Sequence, residues 1–178
     1  ALLKDLRKPK EAEISLRKSI QLNPNIFNSY FLLSSILIEQ KKLKEAELYL
    51  RKTIELKPNL AKAHLLLGTI LSGQKKLKEA ESSISKVIEL NPELAEAHFS
   101  LGNVLKDLGK LKEAEISYRK AIAIKPDFSK AYYFLSLILT KSKKYKEALS
   151  IINQCLIHEP NNHLYQGEKQ RIEFLLSI

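Results

Sequence analysis

Four histidines and one cysteine are the side chains of this 178-residue chain that could bind a metal or act as a nucleophile. His64 and His98 lie 34 residues apart, and His158 and His163 flank a proline. In equivalent places on neighbouring helices, His64 and His98 would be separated by about 10 Å. That spacing is too long for one metal with bonds of about 2 Å. Cys155 can form neither an internal disulfide nor a cysteine zinc cluster, and we interpret it as a packing residue. The sequence predicts no metal, no cofactor and no catalytic residue.

Five glutamates recur at intervals of 34 residues: Glu11, Glu45, Glu79, Glu113 and Glu147. Carboxylates can serve as general acids or bases, but nothing in the sequence distinguishes the surroundings of one glutamate from those of the others. Each stands in the first turn of an expected helix, where a carboxylate interacts favourably with the helix dipole. We therefore predict a structural role for this row.

Lysine and arginine outnumber aspartate and glutamate by 30 to 20, which gives a net charge of +10. Many of the lysines recur in short segments at the same interval. We call eight of them the basic ridge: Lys42, Lys44, Lys76, Lys78, Lys110, Lys112, Lys144 and Lys146. Side by side, they would attract phosphate or an acidic polymer. The alternative is a solvated edge that adjacent glutamates partly neutralise. The scarcity of aromatic residues and arginine favours this alternative, and we predict no specific nucleic-acid binding.

The elements that position these side chains follow from a repeat. Five of the six prolines lie 34 residues apart, as do five alanines: Pro24, Pro58, Pro92, Pro126 and Pro160; Ala12, Ala46, Ala80, Ala114 and Ala148. Within residues 95–108 and 112–124, apolar residues have helical spacing. Gly109 and Pro126 mark the helix ends. The unit is a helix, a tight turn, a second helix and a turn that contains proline.

Small residues predict where the two helices of a unit touch. Ser34, Gly68, Gly102 and Ser136 in the first helix are expected to face the alanine row, and Leu50, Ile84, Tyr118 and Ile152 to fill the space around it. A row of mostly small residues is expected to meet the first helix of the next unit: Ser19, Thr53, Val87, Ala121 and Cys155. No apolar run approaches the roughly 18 residues of a membrane span. The single cysteine suits a reducing compartment, and we predict a cytoplasmic location.

These rows resemble the tetratricopeptide repeat family, which has small residues at positions 8 and 27, alanine at 20 and proline at 32 of its 34 positions. Position 1 corresponds here to residues 27, 61, 95 and 129. The resemblance implies an all-α, right-handed α-solenoid of stacked antiparallel helix pairs. We expect one solenoid over 1–178: a partial repeat at 1–26, full repeats at 27–60, 61–94, 95–128 and 129–162, and a capping helix at 163–178. The truncated first repeat and the absence of Met suggest a piece of a longer protein.

The resemblance also implies that the first helices line a concave groove through positions 2, 5, 6 and 9. The candidate groove residues are Phe31, Leu32, Ser35, Lys62, Leu65, Leu66, Thr69, Phe99, Ser100, Asn103, Lys130, Tyr133 and Phe134. These residues lack the Lys–Asn and Lys–Arg pairs of family members that clamp a carboxylate, and the asparagine row of the sugar transferase type. An apolar peptide or amphipathic helix fits them better. The alternative is that these side chains only pack against their neighbours.

The sequence therefore predicts a non-catalytic protein-interaction scaffold. Two alternatives stay open: the regulatory or substrate-recruiting arm of a larger enzyme such as a transferase, and anionic-polymer binding through the basic ridge. The ends of the array are expected to expose Leu16 and Ile20 at one side and Phe174 and Ile178 at the other. Such ends favour end-to-end self-association, because a repeat cannot bury its apolar face alone.

Overall fold

The computed structural model describes residues 9–178, which form ten α-helices and no strand. The helices are α1 Pro9–Leu22, α2 Phe27–Glu39, α3 Leu43–Leu56, α4 Ala61–Gly73, α5 Leu77–Leu90, α6 Ala95–Asp107, α7 Leu111–Ile124, α8 Ser129–Lys141, α9 Tyr145–His158 and α10 His163–Ser177. The truncated first helix expected before α1 lies in residues 1–8, outside the described residues. The all-α class is confirmed for the described part of the chain.

The chain divides into two compact units, of which unit 1 ends at Leu90 and unit 2 runs from Asn91 to Ile178. In unit 1, α2 pairs with α3 and α4 with α5, while α1 packs on α2 and α3 on α4. In unit 2, α6 pairs with α7 and α8 with α9, while α7 packs on α8 and α9 on α10. Within each unit, the second helix of a pair also contacts the first helix of the pair that follows.

The turn inside each helix pair requires one residue in the left-handed conformation. The Lys42 amide donates to the carbonyl of Leu37 (2.8 Å) and the Lys41 amide to Ile38 (2.9 Å), a bonding pattern that closes a helix C-terminus. The left-handed residues are Lys41 (φ 60°), Lys75 (62°), Gly109 (78°) and Lys143 (59°). Glycine adopts this conformation freely, whereas another L-residue costs about 1–2 kcal/mol. Three lysines therefore stand where glycine fits better.

The small residues at position 8 make room mainly for the large side chain at position 24, which differs from the expectation that they face the alanine row. A Cβ atom on Gly102 would lie 2.6 Å from the Tyr118 ring, and one on Gly68 would lie 2.6 Å from Ile84 Cγ1. The Ala80 carbonyl oxygen is farther from that Gly68 Cβ, at 3.5 Å. The missing side chain of Gly102 lets Tyr118 become fully buried.

Cys155 is fully buried, which confirms its interpretation as a packing residue. Its Sγ donates to the Ser129 carbonyl at 3.2 Å, and burial raises the pKa of the thiol to about 12. This contact joins the two helices of its own pair. In the same row, Ser19 meets Ser29 in the next first helix, with 2.9 Å between the hydroxyl oxygens. The row therefore contacts first helices on both sides, and not only the next one.

The two histidines at position 4 have a structural role that the sequence pattern does not reveal. His64 Nε2 donates to the carbonyl of Pro58 (2.7 Å), and His98 Nε2 donates to that of Pro92 (2.9 Å). Gln166 makes the same contact with Pro160 at 2.8 Å. Each side chain thereby satisfies the carbonyl of the proline turn that precedes its helix.

The last helix, α10, packs through Tyr165 and Ile172, which are buried. Leu164, which the helical spacing placed with Ile172, is instead 58% exposed. Phe174 and Ile178 are 64% and 87% exposed, so the outer side of α10 is apolar and open.

Candidate functional site

In unit 1, the groove positions lie on α2 and α4 and are largely aliphatic. Phe31, Leu32, Leu65 and Leu66 are all partly exposed, and Lys62 is exposed. The hydroxyls beside them are already used inside the helices: Ser35 donates to the carbonyl of Phe31 (3.1 Å) and Thr69 to that of Leu65 (2.9 Å). This surface offers apolar contact and acceptor lone pairs, but no directed side-chain amide.

In unit 2, the same positions on α6 and α8 form an aromatic cluster. The Phe99 ring centroid lies 5.6 Å from that of Phe134, 5.9 Å from Tyr118 and 5.0 Å from Phe128. Tyr133 continues the cluster, 5.5 Å from Phe134. The tilted and edge-to-face geometries are those that aromatic pairs prefer. Because Phe99, Tyr133 and Phe134 remain partly exposed, the cluster presents ring surface to a ligand.

One polar side chain stands beside the aromatic cluster. Tyr118 donates its hydroxyl hydrogen to Asn103 Oδ1 at 2.9 Å. Burial raises the pKa of Tyr118, with a smaller effect from Asp107, so its hydroxyl stays protonated. Ser100, on the same helix, donates to the carbonyl of Glu96 at 2.7 Å and offers no free donor.

Cations border the aromatic cluster of unit 2. Lys106 Nζ lies 5.1 Å from the Phe134 centroid, and Lys125 Nζ lies 5.3 Å from that of Phe128. Such contacts place positive charge against the ring faces. Lys130, at position 2 of α8, is exposed. The rim of this groove therefore favours a ligand that is neutral or acidic.

A buried carboxylate on α10, Glu168, was not expected from the sequence. Thr140 donates to Glu168 Oε1 at 3.2 Å, and Arg171 Nε lies 3.4 Å from Oε2. Burial raises the pKa of Glu168, although the Arg171 charge and the Thr140 hydrogen bond oppose this. Its arrangement ties α10 to α8 and leaves no reactive oxygen facing the groove residues named above.

The basic ridge separates into two kinds of lysine. At position 16, Lys42, Lys76 and Lys144 pair with glutamates of the preceding second helix: Lys42 with Glu13 (3.6 Å), Lys76 with Glu47 (2.9 Å) and Lys144 with Glu115 (3.1 Å). Lys110, the fourth at this position, also has an interaction partner. At position 18, Lys44, Lys78, Lys112 and Lys146 are exposed. They form no ion pair with any residue from 10 to 178 that the structure describes. Only the second kind is available to an anion.

An arginine network, which sequence reasoning missed, explains the glutamate row. Arg51 binds Glu47 on its own helix at 2.9 Å and Glu79 on the next second helix. Equivalent bridges use Arg17 with Glu13 and Glu45, and Arg119 with Glu115 and Glu147. The hydrogen bonds from Glu79 and Glu47 raise the pKa of Arg51. The row is structural, as predicted, but it acts through ion pairs between successive second helices.

For residues 9–178, no helix is both long and apolar enough to cross a membrane. Within the same range, no group of three or more His, Cys, Asp or Glu side chains is arranged to hold a metal ion.

A tetratricopeptide repeat model matches residues 95–128, and a second model of the same repeat matches residues 1–26, 27–60, 61–94 and 129–158. The chain belongs to the tetratricopeptide repeat family. This repeat builds protein-interaction scaffolds, which as a family are generally non-catalytic. No match is found among curated proteins.

Solved structures show the same fold. A crystal structure of MamA has a TM-score of 0.81 and 25% identity, covering 83% of this chain and 86% of its own. YrrB, described as a tetratricopeptide repeat protein with an unusual peptide-binding site, has a TM-score of 0.87 and 21% identity over 95% of this chain and 87% of its own. PilF of Pseudomonas aeruginosa has a TM-score of 0.81 and 19% identity, covering 95% of this chain and 77% of its own. The fold class is that of tetratricopeptide repeat α-solenoids.

Proposed function

We propose that this chain is a scaffold that holds a peptide or a short helix against the first helices of its repeats. The observation that carries the proposal is the run of partly exposed apolar side chains at positions 5 and 6: Phe31, Leu32, Leu65 and Leu66 in unit 1, and Phe99, Tyr133 and Phe134 in unit 2. Contiguous apolar surface of this kind is typical of interaction sites. The peptide-binding site ascribed to YrrB is consistent with the proposal.

The chemistry of the groove points to an apolar ligand segment. Positions 5 and 9 carry Phe31 with Ser35, and Leu65 with Thr69, in place of the lysine and asparagine that would bind a terminal carboxylate. Aromatic rings in unit 2 provide large contact areas at a low cost in side-chain entropy. Affinity should therefore come from apolar side chains of the partner, with the cations at the rim of unit 2 adding a preference for neutral or acidic flanks.

Selection from a phage-displayed library of random 12-residue peptides tests the proposal. Affinities of the selected peptides are then measured by fluorescence anisotropy for the wild type and for Leu66→Asp and Phe134→Asp. Each variant places a charge in an apolar contact and should weaken binding through its own unit by about tenfold or more. Matched controls are Leu48→Asp and Ile116→Asp, whose parent side chains lie 67% exposed on second helices, away from the groove positions.

The proposal is wrong if the library gives no binder, or if the groove variants bind as well as the controls do. Circular dichroism spectra and melting curves of all four variants show whether each one is folded. A peptide that loses affinity only in Phe134→Asp would assign its site to unit 2.

A second candidate function, binding of an anionic polymer, is supported by the lysines of the helix turns. Lys41 and Lys143 occupy left-handed conformations that glycine would adopt more favourably, which keeps positive charge next to the exposed lysines at position 18. We expect salt-labile binding without sequence preference. Changing Lys44, Lys78, Lys112 and Lys146 to Gln should lower the salt concentration that elutes the protein from heparin. Unchanged elution would contradict this function.

A further inference from the structure

Asn103 is the only side-chain amide at groove positions 5, 6 and 9 of the full repeats. It follows Phe99 by one helical turn, so the two side chains lie on the same face of α6. Asn103 is partly exposed, whereas Tyr118, which contacts it, is fully buried. The amide therefore has one side toward the protein interior and one side toward the groove.

The Tyr118 hydroxyl fixes which end of the amide is available. An asparagine side chain has an oxygen that accepts and a nitrogen that donates two hydrogen bonds. The oxygen of Asn103 accepts from Tyr118 at 2.9 Å. The Tyr118 ring cannot turn away easily, because Phe99 and Phe134 pack against it with centroid distances of 5.9 and 6.0 Å. The Asn103 N–H groups are left as the donors that a ligand can reach.

No equivalent donor exists in unit 1. At position 9, the hydroxyls of Ser35 and Thr69 donate to carbonyls of their own helices. At position 24, where unit 2 has Tyr118, unit 1 has Leu50 and Ile84, which lack a hydroxyl. The directed amide is a property of the unit 2 groove.

A free amide donor beside an aromatic surface distinguishes between the two kinds of ligand. An extended peptide presents main-chain carbonyls that have no internal partner, whereas a helix uses its carbonyls internally except in the last turn. We propose that the unit 2 groove binds an extended peptide, that Asn103 donates to one of its main-chain carbonyls, and that Tyr118 is the positioning residue for that amide. This inference rests on the proposed function, because it assigns a ligand class to the same groove.

The test uses a library-selected peptide whose binding is lost in Phe134→Asp. Its affinity is measured for the wild type, Asn103→Leu, Tyr118→Phe and the double variant. Asn103→Leu should weaken binding about tenfold, which corresponds to one hydrogen bond of about 1.4 kcal/mol. Tyr118→Phe should weaken it several-fold in the wild type and less than twofold in the Asn103→Leu background. Ser100→Ala, which removes a hydroxyl bound within the helix, should change affinity less than twofold.

A second measurement leaves the protein unchanged, so it does not depend on how the variants fold. Each main-chain amide of the peptide is replaced in turn by an ester, whose carbonyl is a weaker hydrogen-bond acceptor. Besides losses from any N–H that the ester removes, one carbonyl position should lose affinity for the wild type but not for Asn103→Leu.

Several results would overturn the inference. If Asn103→Leu binds within twofold of the wild type while Phe134→Asp does not bind, the groove functions without the amide. If Tyr118→Phe weakens binding equally in both backgrounds, Tyr118 acts through packing and not through Asn103. A bound peptide that is helical by circular dichroism, or the absence of any Phe134-dependent peptide, also contradicts it. Loss of all library binding would instead refute the proposed function itself.

Discussion

Replacing Gly102 by alanine should destabilise unit 2, although alanine is the better helix former. The added Cβ would lie 2.6 Å from Tyr118 Cε1, 2.7 Å from Cδ1 and 3.0 Å from Cζ. Carbon atoms prefer separations of about 3.5–4.0 Å, so the ring would have to move by about 1 Å. That movement is resisted, because Tyr118 is fully buried, packs against Phe99 and Phe134 and is hydrogen-bonded to Asn103.

The expected magnitude follows from two opposing effects. Alanine in place of glycine within a helix stabilises by about 1 kcal/mol. Overpacking of a filled core costs about 1–3 kcal/mol, and a weakened Tyr118 hydrogen bond adds about 1 kcal/mol. We expect Gly102→Ala to lower the free energy of unfolding by about 1–2 kcal/mol.

Urea unfolding followed by circular dichroism measures this change, and two other glycines serve as controls. Gly73 lies in a helix, and a Cβ added there would meet no atom within 4 Å, so Gly73→Ala should stabilise by up to about 1 kcal/mol. Gly109 has a φ of 78°, so Gly109→Ala should destabilise by about 1 kcal/mol through the backbone alone. If Gly102→Ala is as stable as Gly73→Ala, the close contact with Tyr118 does not determine the residue at position 8.

Four other substitutions test separate features of the chain. Arg119→Gln removes two ion pairs and should lower the free energy of unfolding by about 1 kcal/mol, and by less in 1 M NaCl; equal losses would exclude an electrostatic origin. Lys143→Gly should raise it by about 0.5–1 kcal/mol by relieving a φ of 59°, whereas Lys146→Gly, inside α9, should lower it. Because burial raises the pKa of Glu168, its ionisation costs stability as the pH rises through that value. Glu168→Gln should therefore raise the melting temperature more at pH 7 than at pH 4, and the reverse order would be inconsistent with a raised pKa. Phe174→Lys should weaken concentration-dependent association in sedimentation equilibrium, unless the exposed side of α10 takes no part in it.

The helices could be predicted from the sequence because their ends are marked chemically. Prolines end every second helix at the same distance, and Gly109 marks a turn that needs a left-handed residue. The packing rows were also visible, since small and large residues alternate with the period of the repeat. What the period does not show is which rows meet. Gly102 was expected to face alanine, but it faces Tyr118, because that contact depends on how the two helices cross.

The missed features of the site have the same origin. Arg51 and Glu79 are 28 residues apart, and Tyr118 and Asn103 are 15 apart, so each contact joins different helices. Their residue types were visible in the sequence, but no local rule pairs them across helices. The charge pattern was misleading for a related reason. Lys76 and Lys78 look equivalent in the sequence, yet the direction of each side chain from the turn leaves one paired with Glu47 and the other in solvent.

The positions that build the repeat and the positions that could bind a partner are different, and this separation explains why the fold was easier to predict than the ligand. Alanine at position 20 is fully buried in Ala46, Ala80, Ala114 and Ala148, so packing restricts it in every full repeat. Groove positions face outward and vary, from Leu66 to Ser100 to Phe134 along position 6. Residues there are free to respond to a ligand, because changing them removes little buried contact. Tyr118 is the exception that joins the two sets, since its ring belongs to the core and its hydroxyl holds a groove side chain. A ligand preference in unit 2 would therefore be coupled to core packing, whereas one in unit 1, where Leu50 and Ile84 reach no polar group, would depend on the groove side chains alone.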